Sequence, residues 1–327
     1  MQAPLAVYTD VDEIDPTPGV ALLESAGFTV RVLKTTDPRE VAARASDATA
    51  LLIGYSPVTR SVIEALPDLR LVATQSVGYD MVDLDVCREH GIWVTNVPAA
   101  ATEEVSGHAL ALALALLRGI PFLARDVRGG RWDGTTEDAR RISETTLGVI
   151  GMGRIGGALA RLSEGLFGRV VAYDPLPAAA ASVPAQVEAM ELDALLCTSD
   201  LISLHLPLVA PSVSSAGTKH MIDADKLSRM RPGSFIVNVS RGGLIDENAL
   251  LAALDSGQIA GAGLDVLTDE PPGAEHPLVR HPRTVITPHS AYRSETSTRQ
   301  YILDQAQNAV SWLERGRPEH PVLDGNR

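Results

Sequence analysis

Cysteine is scarce. The 327 residues include 2 cysteines, Cys87 and Cys197, far apart and with neither C-x-x-C spacing nor a histidine cluster beside them. A disulfide framework or thiolate metal centre is therefore not expected; both thiols read as small buried apolar groups, and no metal is expected. Long hydrophobic runs are missing as well. None reaches ~18 residues without a polar interruption, so no stretch reads as a membrane span. Basic residues are in the minority, 28 Lys and Arg against 41 Asp and Glu, a net charge of −13. A surface that must neutralise many phosphates is disfavoured, and nucleic acid with it. The opening "MQAPLAVYTDVDEID" has no basic flank and soon turns acidic, unlike a secretory signal, so a cytoplasmic location is expected. There is no fixed-period repeat and no low-complexity tract.

What is present is an ordinary globular composition, 45% hydrophobic and 21% charged, on a chain long enough for two domains with real cores. Strand-like runs recur in the first third: "LAVYT", "FTVRVL", "ATALLIG", "LRLVATQ" and "IWVTNV". Between them lie "VALLESAG", "DPREVAARAS", "SVIEALP" and "DLDVCREHG", with helical spacing, the first and last closed by Gly27 and Gly91. That alternation describes a βαβ array with a parallel sheet. After Pro98 the pattern becomes one long apolar helix, "EEVSGHALALALALLRGI", which Pro121 is expected to end. A polar segment over 124–144 follows, with little core, reading as an arm or packing surface. A second α/β array then runs through "TLGVIGMGRIGGALARLSEGLFGRVVAYDP", "DLISLHLP", "SFIVNVSR", "GAGLDVL" and "TVITPH". An amphipathic C-terminal helix and a polar tail, "RPEHPVLDGNR", complete the chain. The expected fold class is α/β: two parallel-sheet domains, Rossmann-like and flavodoxin-like, with an interdomain cleft.

Within the second array, Gly151, Gly153 and Gly156 form G-x-G-x-x-G directly after a strand and at the start of a helix. The first glycine suits a tight turn, the second lets backbone approach a pyrophosphate, and the third lets helix and strand pack closely. Free N–H groups and the positive end of the helix dipole favour an anion there. Asp174, at the end of the strand "RVVAYD", can accept from both ribose hydroxyls and would repel a 2′-phosphate. NAD is therefore expected in preference to NADP.

Ligands of open parallel sheets sit beyond the carboxyl ends of strands. Four successive strand ends here carry polar groups: His205 in "SLHLP", with Pro207 after it; Arg241 in "NVSRGG"; Asp265 and Glu270 in "LDVLTDEPP"; and His289 in "TPHSAY". His289 alone would read as a structural histidine. Beside a dinucleotide loop it reads as the acid/base that moves an alcohol proton during hydride transfer. Glu270 is the candidate to pair with it, and Arg241 supplies a planar, permanently charged fork for an anionic substrate.

At this point the chain is similar, over nearly its full length, to the D-isomer-specific 2-hydroxyacid dehydrogenase family. The matching pieces are "SVGYDMVDL", "GIWVTNVPAAATEEV", "LGVIGMGRIG", "SLHLPL", "MRPGSFIVNVSRGGLIDENALLAAL", "GAGLDVLTDEPP" and "VITPHSA". Within it, "NVPAAATEEV" and "TPHSAYRSE" most resemble the branch that includes the C-terminal binding proteins, dehydrogenase-like corepressors. The resemblance implies that Arg241 holds a substrate carboxylate and carbonyl, that Glu270 pairs with His289, and that His289 gives or takes the proton. It also implies that backbone at Val77 and Gly78 binds the carboxylate, that Arg154 and Ile155 meet the pyrophosphate, that Thr102 helps hold phosphate, and that Asp265 fixes the carboxamide of NAD(H). Pocket walls would include Tyr55 and Tyr292. A homodimer through the cofactor domain is implied, with the 121–145 arm suited to it. The substrate-binding domain would be discontinuous, 1–99 plus 293–327, and the NAD-binding domain 100–292, with hinges near Ala100 and Ala291.

Two features depart from that pattern. The segment "VAPSVSSAG" from Val209 to Gly217 is longer than the usual loop beside the adenine pocket, and Tyr292 with Arg293 stands where the corepressor-like branch has a tryptophan. The expected partner is a small anionic 2-oxo or 2-hydroxy acid. The alternative from another class is an NAD(H)-gated, dimeric, corepressor-like interaction protein; a formate or phosphite dehydrogenase is a closer rival, without its expected residues around "TPHSA".

Overall fold

Side chains alternate strictly along the first strands, and both faces of the sheet they form are covered. The computed structural model describes residues 3–11, 14–136, 139–176, 184, 186–209 and 217–325. It divides into two units, Met1–Ala100 with Arg293–Arg327, and Ala101–Tyr292.

In the first unit, β1 (Leu5–Tyr8), β2 (Thr29–Val32), β3 (Ala50–Ile53), β4 (Leu71–Thr74) and β5 (Trp93–Thr95) lie in the order β5-β4-β3-β1-β2, all parallel. This is the flavodoxin-like winding, whose switch point falls between β1 and β3. Leu5, Val7, Leu51 and Ile53 pack to one side with Val62 and Val86; Ala6, Tyr8, Ala50 and Leu52 pack to the other with Leu23 and Ile302. Burial on both faces is what a parallel sheet demands. Of the helices, α1 (Thr17–Ser25), α2 (Pro38–Arg44), α3 (Arg60–Glu64) and α4 (Leu84–His90) follow the strands in turn. Asp83 caps α4 by accepting from Val86 N at 3.1 Å, and Gly91, at φ 67°, ends it.

The second unit begins with α5 (Thr102–Leu117) and α6 (Ile120–Arg128). Its sheet holds β6 (Thr146–Ile150), β7 (Arg169–Tyr173), the short β8 (Glu188–Ala189), β9 (Leu201–Leu204), β10 (Ser234–Asn238), β11 (Ile259–Leu264) and β12 (Thr284–Ile286). The order is β12-β11-β10-β9-β6-β7-β8, parallel throughout, so the winding reverses between β6 and β9. The helices α7 (Arg154–Leu162), α8 (Leu192–Thr198), α9 (Ala224–Arg229), α10 (Glu247–Asp255) and α11 (Pro277–Arg280) lie between its strands. The chain then returns to the first unit as α12 (Glu295–Arg315), entered through a Ser294–Ser297 capping box and closed by Gly316 at φ 72°.

Three expectations need correction. Pro121 does not end the apolar helix: α5 stops at Leu117, Gly119 turns through φ 62°, and Pro121 sits in the first turn of α6, with 62° between the two helix axes. A proline lacks an N–H that a first turn does not use, so the residue read as a stop is a start. The polar tail contributes a strand, β13 (Pro321–Leu323), paired antiparallel with β5, so the first sheet is not wholly parallel. Cys87 is buried, and burial pushes its thiol up to about 12, but Cys197 is exposed. It follows the buried Leu195 and Leu196 on α8, and one further helical step of ~100° carries it off their face.

Candidate active site

The glycine-rich turn joins β6 to α7 at the winding reversal of the second unit. Gly151 has φ 99°, and a Cβ on it would stand 2.6 Å from the carbonyl oxygen of His205, at the end of β9. A Cβ on Gly156 would stand 1.9 Å from the carbonyl oxygen of Gly151. Both positions require glycine for internal packing. Gly153 does not, because nothing lies within 4 Å of where its Cβ would be. The space kept open there, at the N-terminus of a nine-residue helix begun by Arg154 and Ile155, fits a dinucleotide pyrophosphate. Asp174, just after β7, accepts from Met152 N at 2.7 Å through one carboxylate oxygen and from Leu176 N at 2.8 Å through the other. The turn thereby orients its own ribose-binding candidate. The imidazole of His205 hydrogen-bonds Ser203 Oγ through Nε2 at 2.8 Å, and burial pushes its pKa down to about 3, so the ring is neutral. Its Nδ1 is buried with no hydrogen-bond partner among the described residues. Thr102 opens α5, and the carbonyl of Pro207 accepts from Thr218 Oγ1 at 2.6 Å. Most of the extended segment expected over 209–217 lies outside the described residues.

The adjacent strands β9, β10, β11 and β12 bring the other candidates to one edge of this sheet. His289 Nδ1 lies 2.6 Å from Glu270 Oε2. A carboxylate only accepts, so Nδ1 carries the proton of this bond. Glu270 Oε1 accepts from Leu267 N at 2.8 Å, which holds the second oxygen. Burial pushes the Glu270 carboxyl up, but the hydrogen bond and charge of His289, the Leu267 N–H and the charge of Arg241 outweigh it and hold the group below its ordinary value. Arg241 follows β10, with one guanidinium nitrogen donating to the Ser240 carbonyl at 2.9 Å.

His289 itself adopts φ 48°, left-handed backbone that a branched or bulky residue seldom takes. Asp265 explains how the turn is held. Its carboxylate, 1% exposed, accepts from Thr287 Oγ1 at 2.5 Å, Ser290 N at 2.9 Å and Ala291 N at 2.9 Å, while its carbonyl accepts from His289 N at 2.8 Å. Ala291, expected near a hinge, is thus tied down, and the chain leaves the unit after Tyr292.

In the first unit, Tyr55 follows β3 and is 50% exposed. Asp10, after β1, accepts from Gly54 N at 3.0 Å, from Ser56 Oγ at 2.8 Å and from Tyr55 N, so the switch-point carboxylate fixes the Tyr55 turn. Val77 and Gly78 follow β4, where Val77 O accepts from Asn96 Nδ2 at 2.8 Å and Gly78 O from Ser76 Oγ at 2.7 Å.

The chain as a whole has known counterparts. Residues 110–291 match the profile of the D-isomer specific 2-hydroxyacid dehydrogenase NAD-binding domain. The chain belongs to the D-isomer-specific 2-hydroxyacid dehydrogenase family. It is 37% identical to the glyoxylate reductase of Korarchaeum cryptofilum over 82% of this chain and 81% of that one. It is 34% identical to the glycerate dehydrogenase of Methylorubrum extorquens over 88% of this chain and 90% of that one. Its fold superimposes on a glyoxylate reductase from Paecilomyes thermophila with a TM-score of 0.88 at 28% identity, covering 100% of each chain. An NADPH-dependent glyoxylate/hydroxypyruvate reductase from Sinorhizobium meliloti matches with a TM-score of 0.83 at 30% identity, over 98% of each.

As a member of this family the protein is an oxidoreductase whose second unit is built to bind a nicotinamide dinucleotide. Several side chains important to this geometry, Asp10 among them, were not singled out from the sequence. Thr287 lies between Asp265 and His108, whose Nε2 is 3.0 Å from Thr287 Oγ1; the Thr287 hydroxyl donates to Asp265, so His108 must donate to Thr287. Asn96 belongs to the other unit. Asn96 sat inside a quoted motif, "IWVTNV", yet nothing in the spacing says where an amide side chain turns.

Proposed function

We propose that this protein is an NAD(H)-preferring 2-oxo acid reductase and D-2-hydroxyacid dehydrogenase, with His289 as acid/base and Arg241 as the substrate-carboxylate clamp. The observation that carries the reading is the 2.6 Å His289–Glu270 pair at the same sheet edge as Arg241. A bound nicotinamide would supply the hydride. In reduction, His289 Nε2 gives its proton to the carbonyl oxygen as charge develops there; in the reverse direction it takes the alcohol proton. Glu270 holds the ring in the Nδ1–H form and stabilises the imidazolium. Arg241 binds the carboxylate and polarises the carbonyl, an electrostatic contribution that grows as water is excluded. In the first unit, taken by itself, the N–H groups of Val77 and Gly78 are donors suited to a carboxylate.

Relatives named for glyoxylate, glycerate and hydroxypyruvate support a small substrate of two or three carbons. They are named as reductases and dehydrogenases, which favours metabolic turnover over the corepressor-like alternative. NAD preference rests on Asp174, whose negative charge opposes a 2′-phosphate; the Sinorhizobium meliloti neighbour is named as NADPH-dependent. A homodimer through the cofactor domain is supported by the exposed apolar side chains Ile120, Val127 and Trp132 on and beyond α6, and is read out by sedimentation. The deciding experiment follows NADH and NADPH consumption against glyoxylate, hydroxypyruvate, a branched oxo acid, phenylpyruvate, oxaloacetate and 2-oxoglutarate, with His289→Ala as control. Oxo acid turnover that the control loses supports the reading; tight NADH binding with no turnover sinks it.

A further inference from the structure

We infer that Asn96, with Ser76, is a positioning residue that turns the Ser76–Gly78 loop into an anion site by occupying its carbonyl groups; this rests on the 2-oxo acid reading above. A short loop at a strand end offers a ligand both N–H and C=O groups. A carbonyl facing a carboxylate would repel it, so a backbone anion site works only where the oxygens are engaged elsewhere. Here three consecutive carbonyls are taken. Ser76 O accepts from Val97 N at 2.9 Å and Thr74 Oγ1 at 3.2 Å. Val77 O accepts from Asn96 Nδ2 at 2.8 Å, and Gly78 O from Ser76 Oγ at 2.7 Å. The N–H groups of Val77 and Gly78 donate to no other described residue, and Val77 is 39% exposed. What the loop has left to present is donors.

Asn96 is held in place by the far end of the chain. Its carbonyl accepts from Asn308 Nδ2 at 3.1 Å, and its N–H donates to His320 O at 3.3 Å. Asn308, fully buried on α12, accepts in turn from His320 N at 2.9 Å through Oδ1. The main chain of Asn96 is therefore held on both sides, by the Asn308 side chain and the His320 carbonyl, and from that fixed position its Nδ2 reaches Val77 O.

The test is steady-state reduction by the full-length protein with Asn96→Ala, Asn96→Asp and Ser76→Ala, together with competitive inhibition by oxalate and NADH affinity by fluorescence. Asn96→Ala is expected to raise both the KM for the oxo acid and the oxalate inhibition constant roughly tenfold, the weight of one charge-assisted hydrogen bond in binding. Asn96→Asp should raise both further, because it replaces a donor by a carboxylate beside the anion, and Ser76→Ala should raise both less. NADH affinity and kcat should stay within about twofold of wild type. A merely structural role would instead lower kcat, NADH affinity and thermal stability together, and that pattern overturns the proposal, as does an unchanged KM and oxalate constant. Should Asn96→Ala fail to fold, Ser76→Ala, which removes one hydroxyl, decides the matter on the same readouts. Wild-type protein that reduces no oxo acid overturns the functional reading and this proposal with it; active wild type whose KM responds to Arg241→Lys but not to Asn96 or Ser76 overturns this proposal alone.

Discussion

The two units share one architecture and use it in opposite ways. In the second, ionisable side chains stand at successive strand ends, and His289 pairs with Glu270 at the sheet edge that Arg241 shares. In the first, the polar side chains near strand ends turn inward: Asp10 fastens the Tyr55 turn, and Asn96 and Ser76 fasten the Val77–Gly78 loop. Groups that must exchange protons or carry charge have to be side chains. Groups that only need to present fixed donors can be backbone, provided other side chains orient it.

The largest expected effect breaks the side-chain half. His289→Ala should lower kcat by about a hundred- to ten-thousandfold, the usual weight of a positioned acid/base, while NADH affinity by fluorescence stays near wild type. A variant that keeps most of its turnover would remove His289 from the chemistry. Arg241→Lys comes next: it retains the charge but loses the planar fork, and kcat/KM for the oxo acid should fall roughly ten- to a hundredfold. Unchanged kinetic constants would place Arg241 outside the substrate site.

A smaller effect separates packing from binding within one loop. Gly153→Ala meets nothing within 4 Å in the folded chain and should leave the melting temperature nearly unchanged, yet weaken dinucleotide binding several-fold, because the methyl group would enter the space kept for the pyrophosphate. Gly156→Ala should damage both, since its Cβ meets the Gly151 carbonyl oxygen. Equal behaviour of the two variants would break the assignment of the glycines.

The smallest effect concerns acid stability. The Glu270 carboxyl lies below its ordinary value in the folded chain, so its ionised form contributes stability in full above the unfolded-state value of about 4.5 and loses it as pH falls through the folded one. Melting curves of wild type and Glu270→Gln should therefore differ above the unfolded-state value and converge as pH falls through the lower folded-state one. The gap should be modest because the pair is partly exposed. A gap that widens on acidification would contradict the pairing.

Much of this was legible in the residues, and unevenly so. The glycine spacing, the acid after the next strand and the polar strand ends are written in local order, so the second unit's candidate residues could be picked out directly. The resemblance implied a carboxamide contact for Asp265, while the spacing gave no sign that its carboxylate accepts from the turn that carries His289. Pro121 was read as a stop because a proline interrupts a helix, whereas its place in the first turn of α6 depends on Gly119 having already ended α5. The first unit's donors at Val77 and Gly78 were indicated by the resemblance of "SVGYDMVDL" alone, since a backbone N–H belongs to every residue but proline.

By itself, the sequence determined the alternating strands and helices, the places where only glycine fits, and which ionisable groups could reach a sheet edge. These follow from periodicity and from the stereochemistry of single residues. Only the tertiary structure decided that the Asp265 carboxylate accepts from the turn that carries His289, and that Asn308 on α12 steadies Asn96 near β5 so that Val77 O is occupied. Those contacts join residues that are far apart in the chain or separated by a turn, and their partners are chosen by how the sheets wind and pack rather than by any spacing along the chain.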